Sequence, residues 1–517
     1  MRRDDDPRAT FLSVLLTALL LSCRRFQARA QGWSFSSALH SSAGLWLNSY
    51  FICLILERYC LKATTDKILG LVIISVACLA PLPYGLDGYG WVCVWLGIIS
   101  LSLLLRVWSA PLPTNKKPIL VVVTAGLALA GLVVLQVSPH VPTILEHPAW
   151  QTAANAGVSD VHGRIAIEAS LPIYSLALPL AIIAAFLAGY LQAAQRSWCW
   201  SLIQAVTVAG LCYAALGIWL GIINPGYVLF ERKIAYQTDF TGPFVNRNTA
   251  ASFFGVCFLS AIVVAFRKWR QNWPMGYLSG RQKFLFLVQN LTSSSSWWSC
   301  AAAILLGSVL LTGSRAGAAF SLIAAITVFF LLVRKAAAPR RSLLIIGGAA
   351  GLVLVLHLFG TGSILTRVIE GINENGRYAG WASAWRIVAD YPLFGTGLGT
   401  FKTVFPLYRL GDHGITQIWE RAHSTPLEIA VELGVPAAIS VIGMWCMAMA
   451  ATLRSYLREP KSYAMPALGF GILLLTGLHS LVDFPLQVAG CAIPVAILLG
   501  AIFRQVLTVR RQPVVTG

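Results

Sequence analysis

Four short stretches of this 517-residue chain combine residue types suited to gripping a phosphate and moving a proton. The first is Thr241-Gly242-Pro243-Phe244-Val245-Asn246-Arg247-Asn248-Thr249, where two asparagines flank an arginine just ahead of a long apolar run. A helix starting there offers free N–H groups and a positive dipole, which suit a phosphate. The plainer alternative is an N-cap, with Asn248 or Thr249 closing the helix and Arg247 snorkelling to headgroups. The second is Leu311-Thr312-Gly313-Ser314-Arg315-Ala316-Gly317, a tight turn between two apolar runs that holds Arg315 close to the bilayer. A planar guanidinium suits bidentate phosphate binding; lipid-headgroup contact is the alternative.

The third is Arg377 in Glu374-Asn375-Gly376-Arg377-Tyr378, leading an amphipathic helix through Trp381, Trp385 and Val388. On its own it reads equally as a solvated surface residue. The fourth is His423-Ser424-Thr425-Pro426, where a long loop returns to an apolar run. Histidine suits general-base work near neutral pH. Glu428 and Glu432 follow at i,i+4 near a helix N-terminus, where a structural role is adequate. His479 and Asp483 share one helix face: either a proton relay or, preferred, a His–Asp hydrogen bond that locks packing. Gly395-Thr396-Gly397-Leu398-Gly399 lacks the strand–turn–helix setting of a nucleotide fingerprint and is expected to be a turn.

The elements that must hold these residues follow from composition. Hydrophobic residues make up 57% of the chain and charged ones 11%, with a mean hydropathy of +0.71. So few charges cannot cover a water-facing surface, which excludes a soluble enzyme, a disordered chain and a coiled coil. The eleven cysteines lie mostly in apolar runs without CxxC spacing and indicate neither a disulfide framework nor a zinc site. Apolar runs long enough to span a bilayer lie near 68–83, 91–107, 118–137, 171–191, 198–223, 248–266, 297–312, 316–333, 342–360, 426–453, 464–483 and 486–503. The expectation is an all-α polytopic membrane protein with about twelve core transmembrane helices and a large helical periplasmic loop.

Orientation follows from the loops. Arg267, Lys268, Arg270, Arg281 and Lys283 fill one connection, Arg334, Lys335, Arg340 and Arg341 another, and Arg454, Arg458 and Lys461 a third. Counting spans puts them all on one side, which the positive-inside rule makes cytoplasmic. The net charge of +19 is therefore a topology signal, and nucleic acid is not an expected partner. Arg247 and Arg315 fall on the opposite side and need an anionic partner, for which nothing near in sequence stands out. The chain is expected to divide into a 1–62 extension with one or two weak hydrophobic segments, spans over 63–360, the loop 361–425, and spans with a cytoplasmic tail over 426–517. The first 62 residues imitate a signal peptide, but Asp4, Asp5 and Asp6 spoil the n-region and Arg24 and Arg25 disfavour export.

In these motifs, and in Tyr391-Pro392-Leu393-Phe394-Gly395, the chain resembles the O-antigen ligase and polymerase superfamily of bacterial envelope enzymes, from about Thr241 to Pro494. The ligase-type signature runs His423-Ser424, nine residues, then Gly434-Val435-Pro436-Ala437, and departs from the pattern at Ala437. The resemblance implies a multi-pass inner-membrane protein with its site facing the periplasm and no cofactor, nucleotide sugar or metal. The implied donor is a glycan on undecaprenyl diphosphate. The acceptor is lipid A core for a ligase or a second lipid-linked glycan for a polymerase, with membrane lipids around both. Arg247, Arg315 and Arg377 would hold the donor pyrophosphate, supported by Asn246, Asn248 and Ser314, and His423 would serve as base. A protein O-glycosyltransferase is a third reading. A lipid-linked glycan transporter is the alternative of another class, and it calls for inverted repeats and mid-membrane polar sites that are not evident. A reporter fused at Gly411 is expected to be active only outside the cytoplasm; cytoplasmic activity there would overturn the topology.

Overall fold

The computed structural model describes residues 64–82, 88–233, 235–272, 279–282, 293–335, 375–409, 419–458 and 463–508. The extension 1–62, the apolar run 342–360, the loop portion 361–374 and the position Gly411 lie outside the described residues. The helices are α1 over 64–79, α2 Tyr89–Ser109, α3 Lys117–Val137, α4 Pro148–Asn155, α5 Leu171–Ser175, α6 Ala177–Gln192 and α7 Arg196–Ile223. A two-residue antiparallel hairpin, Tyr227–Val228 with Glu231–Arg232, follows. Then come α8 Arg247–Asn272, α9 Ser294–Leu311, α10 Arg315–Lys335, α11 Asn375–Asp390, α12 Phe401–Tyr408 and α13 Thr425–Leu433. The series closes with α14 Val435–Arg458, α15 Ala464–Val482 and α16 Ala489–Leu507.

Among the described residues, ten helical segments are long and apolar enough to cross a membrane, α5 and α6 together counting as one. The chain is an all-α polytopic membrane protein. Helices α8 and α16 form the centre, with 89% and 83% of their apolar windows buried; α3 and α14 stand at the rim with 11% each. Rim side chains such as Leu104, Leu127 and Trp108 point outward, as a lipid-facing surface requires. Where helices meet, small residues set the spacing. A Cβ on Gly189 of α6 would collide with the carbonyl oxygen of Ile497, and one on Gly500 of α16 with that of Phe186.

Among the described residues, basic side chains at the helix ends expected to be cytoplasmic lie against aromatic rings. Arg267 lies over Trp200 at 4.2 Å, Lys335 over Tyr456 at 5.3 Å and Arg504 over Tyr190 at 5.4 Å. Aromatic rings there stabilise cations where the apolar interior ends.

At the opposite end α11, α12 and α13 enclose a second small apolar core of Ile387, Val388, Phe401, Phe405 and Val431. One expectation needs correcting: the apolar run 426–453 is not a single span. It breaks at Gly434, which has φ +86°, and a Cβ there would strike the Leu393 carbonyl. The short α13 ends on this glycine, and the span proper is α14. The break lets α13 belong to the second core while α14 belongs to the membrane.

Candidate functional site

Arg247 is the first residue of α8, and the helix start is built by its neighbour. Asn246 accepts the Asn248 N–H at 2.7 Å through its side-chain oxygen, while its own carbonyl takes the Ala250 N–H. Asn246 is thus the cap, where Asn248 or Thr249 was expected. The Arg247 guanidinium is free to reach sideways. Its Nη1 pairs with Asp239 Oδ2 at 3.1 Å, and the guanidinium lies 5.1 Å from the centre of the Tyr236 ring. The anionic partner that seemed missing is therefore only eight residues upstream, on the loop that precedes the helix. The same Nη1 stands 3.8 Å from where a Cβ on Gly313 would be, so the second motif abuts the first.

That second motif is a compact helix-to-helix turn. Thr312 closes α9, its hydroxyl donating to the Val309 carbonyl at 2.6 Å and accepting the Ser314 N–H. Gly313 takes φ +65°, and buried Ser314 caps α10 by accepting the Gly317 N–H at 3.2 Å. Arg315 follows as the first residue of α10, half-buried and without an ion pair among the described residues. Ser314 and Asn246 are therefore helix caps. Among the described residues the Arg315 side chain makes no hydrogen bond or ion pair, and Arg247 reaches this motif at Gly313.

His423 is presented by a clamp. Buried Glu428 accepts the Ala422 N–H at 2.8 Å and pairs with Arg421 at 2.9 Å, while Trp381 donates to the Ala422 carbonyl at 2.9 Å. With both backbone groups of Ala422 held, His423 is forced to φ +49°, a conformation bulky side chains avoid and functional sites retain. Its ring is fixed edge-on to Trp419 and against Phe484. Nδ1 faces Asp483 Oδ1 at 3.8 Å, beyond hydrogen-bond distance.

Asp483 gathers the site. Its carboxylate accepts from the Asn248 side chain and from the Phe484 N–H, and its carbonyl accepts from Thr425 at 3.1 Å. Burial works to raise this carboxyl, but His423 and the Phe484 N–H outweigh it and hold Asp483 below the usual carboxylate value. The expected side-chain bond between His479 and Asp483 is absent. His479 Nδ1 instead meets the Ser252 hydroxyl at 2.6 Å, and only backbone atoms link it to Asp483. Gly317 makes room for this ring, since a Cβ there would stand 3.2 Å from it.

Arg377, on the first turn of α11, is half-buried and within electrostatic reach of both Tyr236 and His479. The structure therefore groups Arg247, Arg377, His423 and Asn248, and adds Asp239, Tyr236 and Asp483. A weak signal for Tyr236 and Asp239 existed: both lie in the mixed loop 224–247, directly upstream of the arginine motif. Asp483 had a signal in its i,i+4 spacing from His479, which pointed to the wrong partner.

The glycine-rich segment is a turn, as expected, with Gly395, Gly397 and Gly399 all at positive φ. It wraps the end of α13: Thr396 N–H bonds to the Val431 carbonyl and Gly397 N–H to that of Glu432. The Glu432 side chain takes the Phe401 N–H at 3.1 Å, and Gln136 of α3 bridges the carbonyls of Phe394 and Glu432. Burial and the nearby Glu428 push the Glu432 carboxyl up. This knot ties the second core to the bundle.

Residues 300–442 match the family model described as O-antigen ligase. The match takes in Arg315, Arg377 and His423, while Arg247 and Asp483 lie on either side of it. No curated protein matches the chain.

Glu428→Ala leaves the Ala422 N–H without its acceptor and Arg421 without its carboxylate. The expected loss is about 2 kcal/mol of stability, read as a lowered melting temperature and faster proteolysis around 419–424. Wild-type behaviour in both assays would remove the clamp.

Proposed function

As a member of the O-antigen ligase and polymerase superfamily through residues 300–442, this chain is, we propose, a membrane glycosyltransferase that moves a glycan from undecaprenyl diphosphate to a sugar hydroxyl. The observation that carries the reading is the grouping of cations, an imidazole and a buried carboxylate at one end of the bundle. Arg247 and Arg377 both act on Tyr236, while the buried Asp483 faces His423 at 3.8 Å and is held by Asn248, the neighbour of Arg247.

The donor arrives with its leaving group attached. When the anomeric C–O bond breaks, its electron pair passes to a diphosphate oxygen, and charge grows there. Preorganised cations at a water-poor surface stabilise that charge more than water would. Arg247 provides one such cation once Asp239 yields to the diphosphate, and Arg377 and Arg315 provide others. The new bond forms from the acceptor hydroxyl oxygen, whose proton passes to His423. Asp483, 3.8 Å from the imidazole, orients it. One-step displacement inverts the anomeric centre. The reaction belongs to the periplasmic face of the inner membrane, at the bundle end opposite the basic residues.

Lipid A core is the proposed acceptor. Ala437, where the ligase-type signature is not followed, favours a second reading, transfer to another lipid-linked chain. A deletion strain separates them: loss of a ligase leaves bare lipid A core with accumulated lipid-linked polymer, whereas loss of a polymerase leaves single repeat units.

Arg247→Lys and Arg315→Lys keep charge but lose the planar fork, so each is expected to impair transfer substantially. His423→Ala is expected to cut turnover by about 10²–10⁴-fold with donor binding intact. Full activity of both lysine variants on purified lipid-linked donor would refute the donor assignment. Loss of donor binding in His423→Ala would make the histidine a phosphate ligand.

A further inference from the structure

Of the non-glycine residues at positive φ among the described ones, two face the site: His423, and Tyr236 at φ +53°. A tyrosine is held in this unfavoured conformation only when its surroundings over-determine it. Here they do. The Lys233 N–H bonds to the Gly226 carbonyl, the Asp239 N–H bonds to that of Tyr236, and the Lys233 ammonium reaches the Asp239 carbonyl at 2.9 Å. Beyond Asp239, Phe240 stacks on Phe254 and Phe244 is buried against Phe253. The loop is fixed at both ends, and Tyr236 is aimed by it.

The ring lies 5.1 Å from the Arg247 guanidinium. Arg377 and the buried Asp483 act on its phenol electrostatically as well. The phenol makes no hydrogen bond among the described residues, and it is only half-buried, so an incoming group can reach it. Burial pushes its pKa up, so at neutral pH it remains a hydrogen-bond donor.

We propose that Tyr236 is a further catalytic residue, whose hydroxyl donates a hydrogen bond to the diphosphate oxygen leaving the anomeric carbon, alongside the guanidinium groups of Arg247 and Arg377. The proposal rests on the glycosyl-transfer reading above. No proton changes hands at the phenol. The C–O bonding pair goes to the departing oxygen, the acceptor hydroxyl supplies the new bond, and its proton goes to His423. The hydroxyl gains strength as charge develops, so it acts mainly on turnover. A purely supporting tyrosine would instead act through its ring, as a platform for Arg247.

The test uses the purified full-length enzyme with lipid-linked donor. Tyr236→Phe keeps the ring over Arg247 and removes only the hydroxyl. The expected result is a fall in kcat of about 10²-fold, with acceptor KM and melting temperature unchanged. Should Tyr236→Phe fold poorly, Tyr236→Gly takes the positive φ without strain and is expected to show at least the same loss in kcat. Wild-type kcat in a folded Tyr236→Phe, or in Tyr236→Gly, overturns the proposal. Arg247→Lys run in parallel separates the two levels. If it is slow while Tyr236→Phe is not, only the hydroxyl's role is lost; if both are as fast as wild type, the diphosphate does not bind here at all.

Discussion

A carboxylate buried at the end of a membrane helix is the constraint around which the site is arranged. Removing a charge from water costs several kcal/mol unless partners replace the lost solvation. Asp483, 2% exposed, draws those partners from segments far apart in the chain: Asn248 at the start of α8, His423 at the end of the loop, and its own Phe484 N–H. Satisfying this one group brings the central helix α8, the helix α15 and the second apolar core to a single point. Arg247 is next to Asn248, and His423 is itself a partner. The proposed donor-binding cation and the proposed acceptor-side imidazole are therefore placed by one electrostatic requirement.

The glycines act on the same problem from the packing side. Gly317 lets α10 come up against Ala251 and His479, Gly313 turns the chain beneath Arg247, and Gly434 frees α13 from the span that follows. A side chain at Gly317 or Gly434 would push apart elements whose polar groups have to meet, and one at Gly313 would be strained by the φ of +65°. Two polar ties, the Gln136–Glu432 knot and the Glu428 clamp, hold the second core where His423 can face the bundle.

The fold class was legible in the sequence because lipid permits so few solutions: apolar length gives spans, and basic loops give sides. Arg247 and His423 were legible too, the first because it breaks the charge rule, the second because it ends a long loop. Partners were harder to see. Asn248 and Asp483 are separated by 235 positions, and periodicity shows which face of a helix is apolar, not which helix it meets. Local chemistry also misled. The His479–Asp483 spacing suggested a pair, yet a serine on α8 took the histidine. The apolar run at 426–453 looked continuous because one glycine in it does not lower hydropathy enough to show a break.

The central claim is that donor and acceptor are handled by different halves of this site, with Asp483 serving the acceptor half through His423. Asp483→Asn tests it directly, because the amide can still accept from Asn248 but no longer carries charge. Donor affinity and single-turnover rate are measured on the purified variant with lipid-linked glycan. The account predicts donor affinity within a few-fold of wild type and a rate lower by about 10²-fold. A wild-type rate, or a weakened donor affinity with the saturated rate preserved, would contradict it.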